Sequence, residues 1–195
     1  REVKTLGVTS AIASEGKSTI ASNLAITMAS AGARVLLVDA DLRRGDLALL
    51  FASQNREGLA NVLREEISWP RALQTTEHAS LSLISRGTAS PGQDPGELLL
   101  RPLMATLICE FRKEFDIVIF NTVPILQNDG AMNLAAQFDG TLIVVRARFT
   151  SARTARQALD ILSQSEAKLL GLILNCVDPE MPDYYYYQYP KYHAA

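Results

Sequence analysis

The chain has 195 residues, of which 48% are apolar and 21% are charged, and its formal net charge is -2. This length suits one compact domain that buries a full core without disulfides or structural metals. The slightly acidic balance argues against a nucleic-acid partner, because proteins that neutralise a phosphate backbone show a basic excess.

Several features favour a soluble, cytosolic protein. No apolar stretch approaches the length that crosses a bilayer, and the amino terminus lacks the charged region and apolar core of a signal peptide. The fragment can still be one part of a longer membrane protein. The two cysteines, Cys109 and Cys176, have neither metal-ligand spacing nor the density of a disulfide framework. We expect both to be buried thiols.

Short runs of Val, Ile and Leu alternate with longer segments of helical period along the chain. This alternation is typical of a mostly parallel sheet with helices on both faces, so we predict an α/β fold. The predicted strands are Leu6–Thr9, Val35–Asp39, Leu81–Ser85, Ile117–Asn121, Thr141–Val145 and Leu172–Asn175. The predicted helices are Lys17–Ala31, Gly58–Glu65, Glu97–Lys113, Ala131–Phe138 and Ser151–Ser165.

Two segments have no regular period. Residues 86–96 contain two prolines and three glycines, which predicts a loop. Beyond Val177, prolines at 179, 182 and 190 interrupt a stretch rich in tyrosine. Since no internal repeat and no second core are visible, we predict one domain over residues 1–178 and a flexible tail over residues 179–195.

The segment over residues 10–18 has the arrangement of a phosphate-binding loop. A predicted strand leads through a turn into Gly16-Lys17-Ser18-Thr19 at the start of a predicted helix, so backbone N–H groups and a positive helix end would face phosphates. Gly16 allows close backbone approach, Lys17 can reach the β and γ phosphates, and Ser18 can bind Mg²⁺. We therefore predict a P-loop NTPase-like domain that binds a nucleoside triphosphate with Mg²⁺.

One position departs from the strict phosphate-loop motif, because Ala11 stands where the motif has its first glycine. The alternative to a phosphate loop is an ordinary strand-to-helix turn with a serine cap. The position between a predicted strand and a predicted helix favours the phosphate loop. The residues predicted to bind the nucleotide are Ser14, Glu15, Gly16, Lys17, Ser18 and Thr19.

Polar side chains also follow the second and fourth predicted strands. Asp39 and Asp41 occupy alternate positions at the carboxyl end of an apolar run, where open α/β sheets bind ligands. We expect both to face the triphosphate and its metal, although either one alone could cap the next helix. Asn121 ends the fourth strand, at the point where a P-loop enzyme normally has an aspartate that supports the Mg²⁺ shell.

The tail has an unusual composition, because all six tyrosines of the chain follow Asp183. Four consecutive tyrosines cannot all face one side of a helix or strand, so packing explains them poorly. A flexible tail of phosphate acceptors explains them better, and an adhesive aromatic tail for a partner or neighbouring subunit is the alternative. The predicted acceptors are Tyr184, Tyr185, Tyr186, Tyr187, Tyr189 and Tyr192.

Taken in order, the phosphate loop, residues 37–44 and the strand end at residues 117–124 resemble the bacterial tyrosine kinases. These are the cytoplasmic kinase domains of the polysaccharide co-polymerases that govern capsule and exopolysaccharide export. The likeness covers nearly the whole chain and includes residues 95–99, Asp129, the strand end at residues 144–146 and the terminal tyrosines.

The resemblance implies an ATP-dependent tyrosine autokinase with ATP or ADP and Mg²⁺ as cofactors. Lys17 and Ser18 would bind phosphate and metal, while Asp39 and Asp41 would organise the metal and the attacking hydroxyl. Ser18, Asp39 and Asp41 form the implied metal set, and Lys17, Asp39, Asp41 and Asn121 form the implied catalytic set.

The resemblance also implies partners and a location. One subunit's tail would enter the neighbour's site in a ring-like homo-oligomer, and phosphorylation would loosen the ring. A membrane polysaccharide co-polymerase segment or a separate membrane activator would be the partner, at the cytoplasmic face of the bacterial inner membrane.

The chain differs from the pattern of these kinases in three places. Ala13 and Ser14 stand where the loop usually has Pro-Gly, and Val123 replaces a proline. Asn121 matters more, because an amide brings no negative charge to a metal and cannot take a proton. Loss of such a base commonly lowers a rate by about 10²- to 10⁴-fold. We therefore expect nucleotide binding through Lys17 and Ser18, with weakened or absent turnover.

Two alternatives stay open at this point. One is a non-catalytic nucleotide-binding scaffold, or pseudokinase, which Asn121 favours. The other is a partition-type P-loop ATPase, which would carry an additional lysine early in the phosphate loop. Residues 10–15 contain no lysine.

Overall fold

A mostly parallel sheet forms the centre of the computed structural model, which describes residues 2–90, 92–127 and 129–178. The predicted tail over residues 179–195, with its six tyrosines, lies outside the described residues. The strands are β1 (Thr5–Ser10), β2 (Val35–Asp39), β3 (Gln74–Thr75), β4 (Leu81–Ile84), β5 (Ile117–Asn121), β6 (Gly140–Arg146) and β7 (Leu169–Asn175).

Within the described residues, the strands lie in the order β3-β4-β2-β5-β1-β6-β7. The pairs from β4 to β7 are parallel, and β3 runs antiparallel to β4. The predicted α/β fold with a mostly parallel sheet is therefore confirmed. The carboxyl ends of β2, β5 and β1 are neighbours, and this edge of the sheet is where the candidate site lies.

Helices connect the strands and cover both faces of the sheet. They are α1 (Lys17–Ser30), α2 (Leu47–Leu50), α3 (Leu59–Leu63), α4 (Trp69–Ala72), α5 (Pro95–Leu99), α6 (Pro102–Glu114), α7 (Asp129–Ala135) and α8 (Ala152–Gln164), with a 3₁₀ turn over Ile125–Gln127. None of the helices in the described part of the chain is long and apolar enough to span a membrane.

The sequence of the central strand β2 is a continuous apolar run because both faces of the strand are buried. All of its residues are buried, because helices pack on both faces. Leu36 and Val38 point into the core that includes residues of α3, α5 and α6, whereas Val35 and Leu37 point into the core beneath α1. Successive side chains of a strand face opposite sides, so one apolar run serves both cores.

All six predicted strands are present, with bounds that differ by up to three residues. The single predicted helix over residues 97–113 is wrong, because the structure has α5 and α6 there. Arg101 is extended (φ -63, ψ 143) immediately before Pro102, as expected for a residue that precedes proline. The predicted helix Ala131–Phe138 is displaced toward the amino terminus as α7. The short elements α2, α4 and β3 were missed.

The prediction that both cysteines are buried thiols is wrong, because Cys109 and Cys176 are exposed. In α6, Ile108 and Phe111 point into the core, and Cys109 lies on the outer side of the helix. Cys176 follows β7, which is the edge strand of the sheet. The general tendency of cysteine toward burial is overridden at both places by position in the fold.

The packing of Phe138 gives a stability prediction for Gly7 of β1. The Phe138 ring stacks on Phe120 with 4.5 Å between centroids, and a Cβ added at Gly7 would lie 2.6 Å from a carbon of the Phe138 ring. We expect Gly7→Ala to lower the free energy of unfolding by about 1–3 kcal/mol through overpacking. Urea denaturation followed by circular dichroism measures this change.

Gly171 of β7 provides the matched control, because no atom lies within 4 Å of a Cβ built there. Gly171→Ala should therefore leave the unfolding midpoint close to that of the native chain. Equal midpoints for the Gly7 and Gly171 variants would contradict the packing argument.

Candidate nucleotide site

The predicted phosphate loop connects β1 to α1. Gly16 is the residue before the first turn of α1 and has φ 89, and Ser14 has φ 65. A Cβ at Gly16 would lie 2.2 Å from the Asn175 side-chain nitrogen, so glycine is required there by both backbone angle and space. The N–H groups of Ser14, Glu15 and Gly16 donate to no atom of the described residues. Such groups are suited to bind an anion at a helix start.

A pocket of about 460 Å³ lies against this loop at the carboxyl edge of the sheet. A cavity of this size is typical of small-ligand sites. Three strand ends supply its walls, and the lining residues are Ala13, Ser14, Gly16, Lys17, Ser18 and Thr19 after β1, Asp41, Arg43, Arg44 and Asp46 after β2, and Val123, Pro124 and Gln127 after β5.

The structure brings Lys17 and Asp41 together inside the pocket. The Lys17 Nζ lies 2.9 Å from Asp41 Oδ2, and the Asp41 side chain is only 4% exposed. The other carboxylate oxygen accepts a hydrogen bond from the Arg44 backbone N–H at 3.0 Å. Both oxygens of Asp41 therefore have donors, one of which is the Lys17 ammonium. A polyphosphate that enters the pocket would compete with Asp41 for this ammonium.

Asp39 has a different environment from Asp41, although both were expected to face the phosphates. Its side chain is buried and does not line the pocket. One carboxylate oxygen accepts the Leu47 backbone N–H at 3.1 Å, and the other accepts the Asn121 side-chain N–H at 3.0 Å. Burial raises the pKa of Asp39 from its ordinary 3.8 to about 7, and these hydrogen bonds and the Lys17 charge oppose the increase.

Asn121 lies beneath the pocket, between β2 and β1. Its amide nitrogen donates to Asp39, but its Oδ1 is buried and has no hydrogen-bond partner within the described chain. A buried acceptor without a partner costs free energy, so an absent donor such as a water molecule is indicated there.

The arrangement suits Mg²⁺ bound together with a nucleotide rather than by protein ligands alone. Among the described residues, no group of three or more His, Cys, Asp or Glu side chains could hold a metal ion. Mg²⁺ typically takes one or two protein oxygens plus phosphates and waters. Ser18 and Asp41 line the pocket and would supply such oxygens. The residues therefore fit a magnesium nucleotide.

The Glu15 side chain turns away from the pocket, although Glu15 was predicted as a nucleotide-binding residue. The residue is 1% exposed. Its carboxylate accepts hydrogen bonds from the backbone N–H groups of Ile12 and Arg146 and from the Thr150 hydroxyl. Its backbone remains part of the loop, so its contribution to binding would come from the main chain.

Several residues at this edge were not predicted from the sequence. Arg43, Arg44 and Asp46 line the pocket, and their position directly after Asp41 at a strand end was the signal that could have identified them. Gln127 and the contacts of Asn175 with the loop had no sequence signal of their own.

The raised pKa of Asp39 predicts how stability depends on pH when nucleotide and Mg²⁺ are absent. Between about pH 4 and pH 7 the folded protein retains a proton that the unfolded chain has lost, so the free energy of unfolding falls as pH rises. The contribution of this one group is at most about 1.4 kcal/mol per pH unit. Urea denaturation in EDTA across this range measures it.

Two variants isolate this contribution from other titrating groups. Asp39→Asn should remove its part of the slope, because an amide does not titrate, while its oxygen can still accept the Leu47 backbone N–H. Asn121→Asp should make the decline steeper, since two adjacent carboxylates raise each other's proton affinity. Identical slopes for the native and Asp39→Asn proteins would contradict this account.

Comparisons with known proteins agree with this geometry. The family described as "NUBPL iron-transfer P-loop NTPase" (ParA) matches residues 3–185. The tyrosine-protein kinase YwqD of Bacillus subtilis is 38% identical over 175 residues, which cover 90% of this chain and 73% of that protein. The succinoglycan biosynthesis transport protein ExoP of Rhizobium meliloti is 35% identical over 178 residues, which cover 91% of this chain but only 23% of that protein.

A solved structure gives the same result. The kinase domain of Escherichia coli tyrosine kinase ETK has a TM-score of 0.88 and 30% identity, and the match covers 92% of this chain and 70% of that one. With this likeness in sequence and fold, and with a phosphate loop whose lysine meets the carboxylate after β2, the chain belongs to the bacterial tyrosine-protein kinases within the ParA-type P-loop NTPases.

Proposed function

We propose that this chain is an ATP-dependent protein-tyrosine autokinase domain that regulates the polymerisation and export of exopolysaccharide or capsule. The observation that carries the proposal is the pocket in which Lys17 contacts Asp41 beside loop amides that donate to no atom of the described residues. YwqD and ETK are named as tyrosine kinases, and ExoP is named for succinoglycan transport. These names support the reaction and its setting.

The pocket residues have distinct roles in this proposal. Lys17 and the free amides of residues 14–16 bind the phosphates of ATP or ADP, and Thr19 completes the loop side of the pocket. Ser18 and Asp41 are the groups placed to hold Mg²⁺, which neutralises charge on the β and γ phosphates when it is bound. Asp41 also lies where it can orient the acceptor hydroxyl. Asp39, the other carboxylate of the predicted set, is buried outside the pocket lining and accepts a hydrogen bond from the Asn121 amide.

Asn121 lowers the rate of phosphoryl transfer in this proposal but leaves nucleotide binding largely unchanged. Phosphoryl transfer depends mainly on positioning and on electrostatic stabilisation of the transferred group. An asparagine beneath the pocket contributes neither a negative charge to the metal nor a base for the hydroxyl proton. The chain therefore retains the lysine and serine of the phosphate loop but has a weakened catalytic charge distribution, and its autokinase activity is low.

The acceptors in this proposal are the six tyrosines of the tail. The last strand, β7, is parallel to its neighbour and ends at the pocket edge of the sheet, where the Asn175 amide donates to the Glu15 carbonyl of the loop. By the family resemblance, we infer that the tail enters a neighbouring subunit's site in a ring-like homo-oligomer. Each phosphotyrosine adds about -1.5 to -2 charge, and crowded charges at a subunit boundary repel one another.

The setting of the domain also follows from its relatives. We infer that it acts at the cytoplasmic face of the bacterial inner membrane. Its partner there is a polysaccharide co-polymerase segment or a separate membrane activator. Nucleic acid is not a partner in this proposal.

A non-catalytic nucleotide-binding scaffold is the second candidate function, because Asn121 specifically favours it. In that case ATP binding would control assembly with a membrane partner, and the tail would remain unmodified. The two candidates differ in what restoring an aspartate at position 121 would do.

Restoring the carboxylate should increase autophosphorylation. We expect Asn121→Asp to accumulate tail phosphotyrosine with ATP and Mg²⁺ about 10²- to 10⁴-fold faster than the native chain, the usual range for a positioned base. Mass spectrometry of the intact protein over time measures the rate. Adding Lys17→Met to this variant should abolish the signal. No phosphate on any tail tyrosine of Asn121→Asp would remove the kinase assignment and leave the scaffold.

Nucleotide binding should persist in the native chain and depend on Lys17. We expect Lys17→Met to weaken ATP affinity by roughly 10- to 100-fold, because a charge-assisted bond to phosphate is lost. Calorimetry with ATP and ADP in Mg²⁺ measures this change. Lys113→Met is the control, since Lys113 is an exposed residue of α6 that does not line the pocket. Equal affinity for ATP in both variants would contradict the proposed site.

A further inference from the structure

We propose that Glu15 is a positioning residue that fixes the phosphate loop in its binding shape through contacts with the ends of β6 and β7. This inference rests on the proposed nucleotide site. It assigns a role to a carboxylate that the reaction itself does not use, because Glu15 does not line the pocket.

The Glu15 carboxylate is buried and fully engaged. A buried charge is costly unless donors surround it. One oxygen accepts the Ile12 N–H at 2.6 Å, and the other accepts the Arg146 N–H at 3.3 Å and the Thr150 hydroxyl. Ile12 lies at the start of the loop, whereas Arg146 ends β6 and Thr150 precedes α8. The side chain thus connects the loop to a rigid strand outside it.

Two further contacts hold the loop main chain from the same side. The Asn175 amide at the end of β7 donates to the Glu15 carbonyl at 2.9 Å. The Arg146 guanidinium donates to the Ser14 carbonyl at 3.3 Å. Two successive carbonyl groups of the loop therefore point toward β6 and β7.

The direction of these carbonyls fixes the direction of the amides. In a planar trans peptide the N–H of the next residue points opposite to the carbonyl. Holding the Ser14 and Glu15 carbonyls toward β6 and β7 therefore turns the N–H groups of Glu15 and Gly16 the other way. These N–H groups have no partner among the described residues, so they are available to phosphate oxygens. Without the contacts, these peptides could rotate and bind phosphate less well.

The Thr150 hydroxyl offers a test that leaves the loop sequence unchanged. Thr150→Val keeps the shape but removes the hydroxyl donor, while Thr150→Ser keeps it. We expect Thr150→Val and Glu15→Gln to weaken binding of both ATP and tripolyphosphate by roughly 10-fold or more, and Thr150→Ser to bind like the native chain. Calorimetry measures the affinities, and thermal denaturation without ligand shows that each variant is folded. Glu166→Gln, an exposed glutamate before β7, is the control.

Tripolyphosphate has no base, so it reports on the groups that bind phosphate and not on any contact with the nucleoside. Native-like affinity of the folded Thr150→Val variant for tripolyphosphate would overturn the inference, as would a loss seen with ATP only. If Glu15→Gln does not fold, the comparison of Thr150→Val with Thr150→Ser tests the inference. Failure of the native chain to bind either ligand would instead refute the proposed nucleotide site.

Discussion

The parallel register of β2, β5 and β1 is the constraint on which the site depends. Asp39 at the end of β2 is paired with Asn121 at the end of β5, and Asn121 is paired with Val8, two residues before the end of β1. The three strands therefore end close together at one edge of the sheet. The chain then needs only a short continuation after each strand to place Lys17 within 2.9 Å of Asp41. A one-residue shift in this register would turn every side chain of a strand to the other face. The two cores that pack against β2 therefore hold the register that places these side chains at the pocket edge of the sheet.

The two aspartates after the second strand are both buried but have different partners. Asp41 is paired with the Lys17 ammonium at the pocket, whereas burial raises the pKa of Asp39 and favours its neutral form. In this setting Asn121 is favourable for the fold, because an amide donates to Asp39 where a second carboxylate would repel it. In the proposed function, by contrast, Asn121 brings no negative charge to a bound Mg²⁺. The stability of the fold therefore favours asparagine at position 121, whereas catalysis would favour aspartate.

The sequence predicted the sheet, the first helix and the phosphate loop, since each has a strong local signal: an apolar run, a helical period or a glycine-lysine turn. It did not predict that Asp39 and Asp41 would separate, because alternation of side chains holds within a strand and Asp41 lies beyond the end of β2. Nor did it predict the environment of Glu15, whose partners Arg146 and Thr150 are more than 130 residues away. Short elements such as α2 and β3 are too brief to show a period.

The two halves of the sheet on either side of β1 supply different parts of the site. The groups that set charge come from β2 and β5, whereas the contacts that shape the loop come from β6 and β7. Lys17 stands between them at the start of α1. In the proposed function, asparagine at 121 on the β5 side changes the charge near the pocket but leaves in place the hydrogen bonds that orient the loop amides. Nucleotide binding and phosphoryl transfer would then depend on different contacts, and Asn121 would affect the second more than the first.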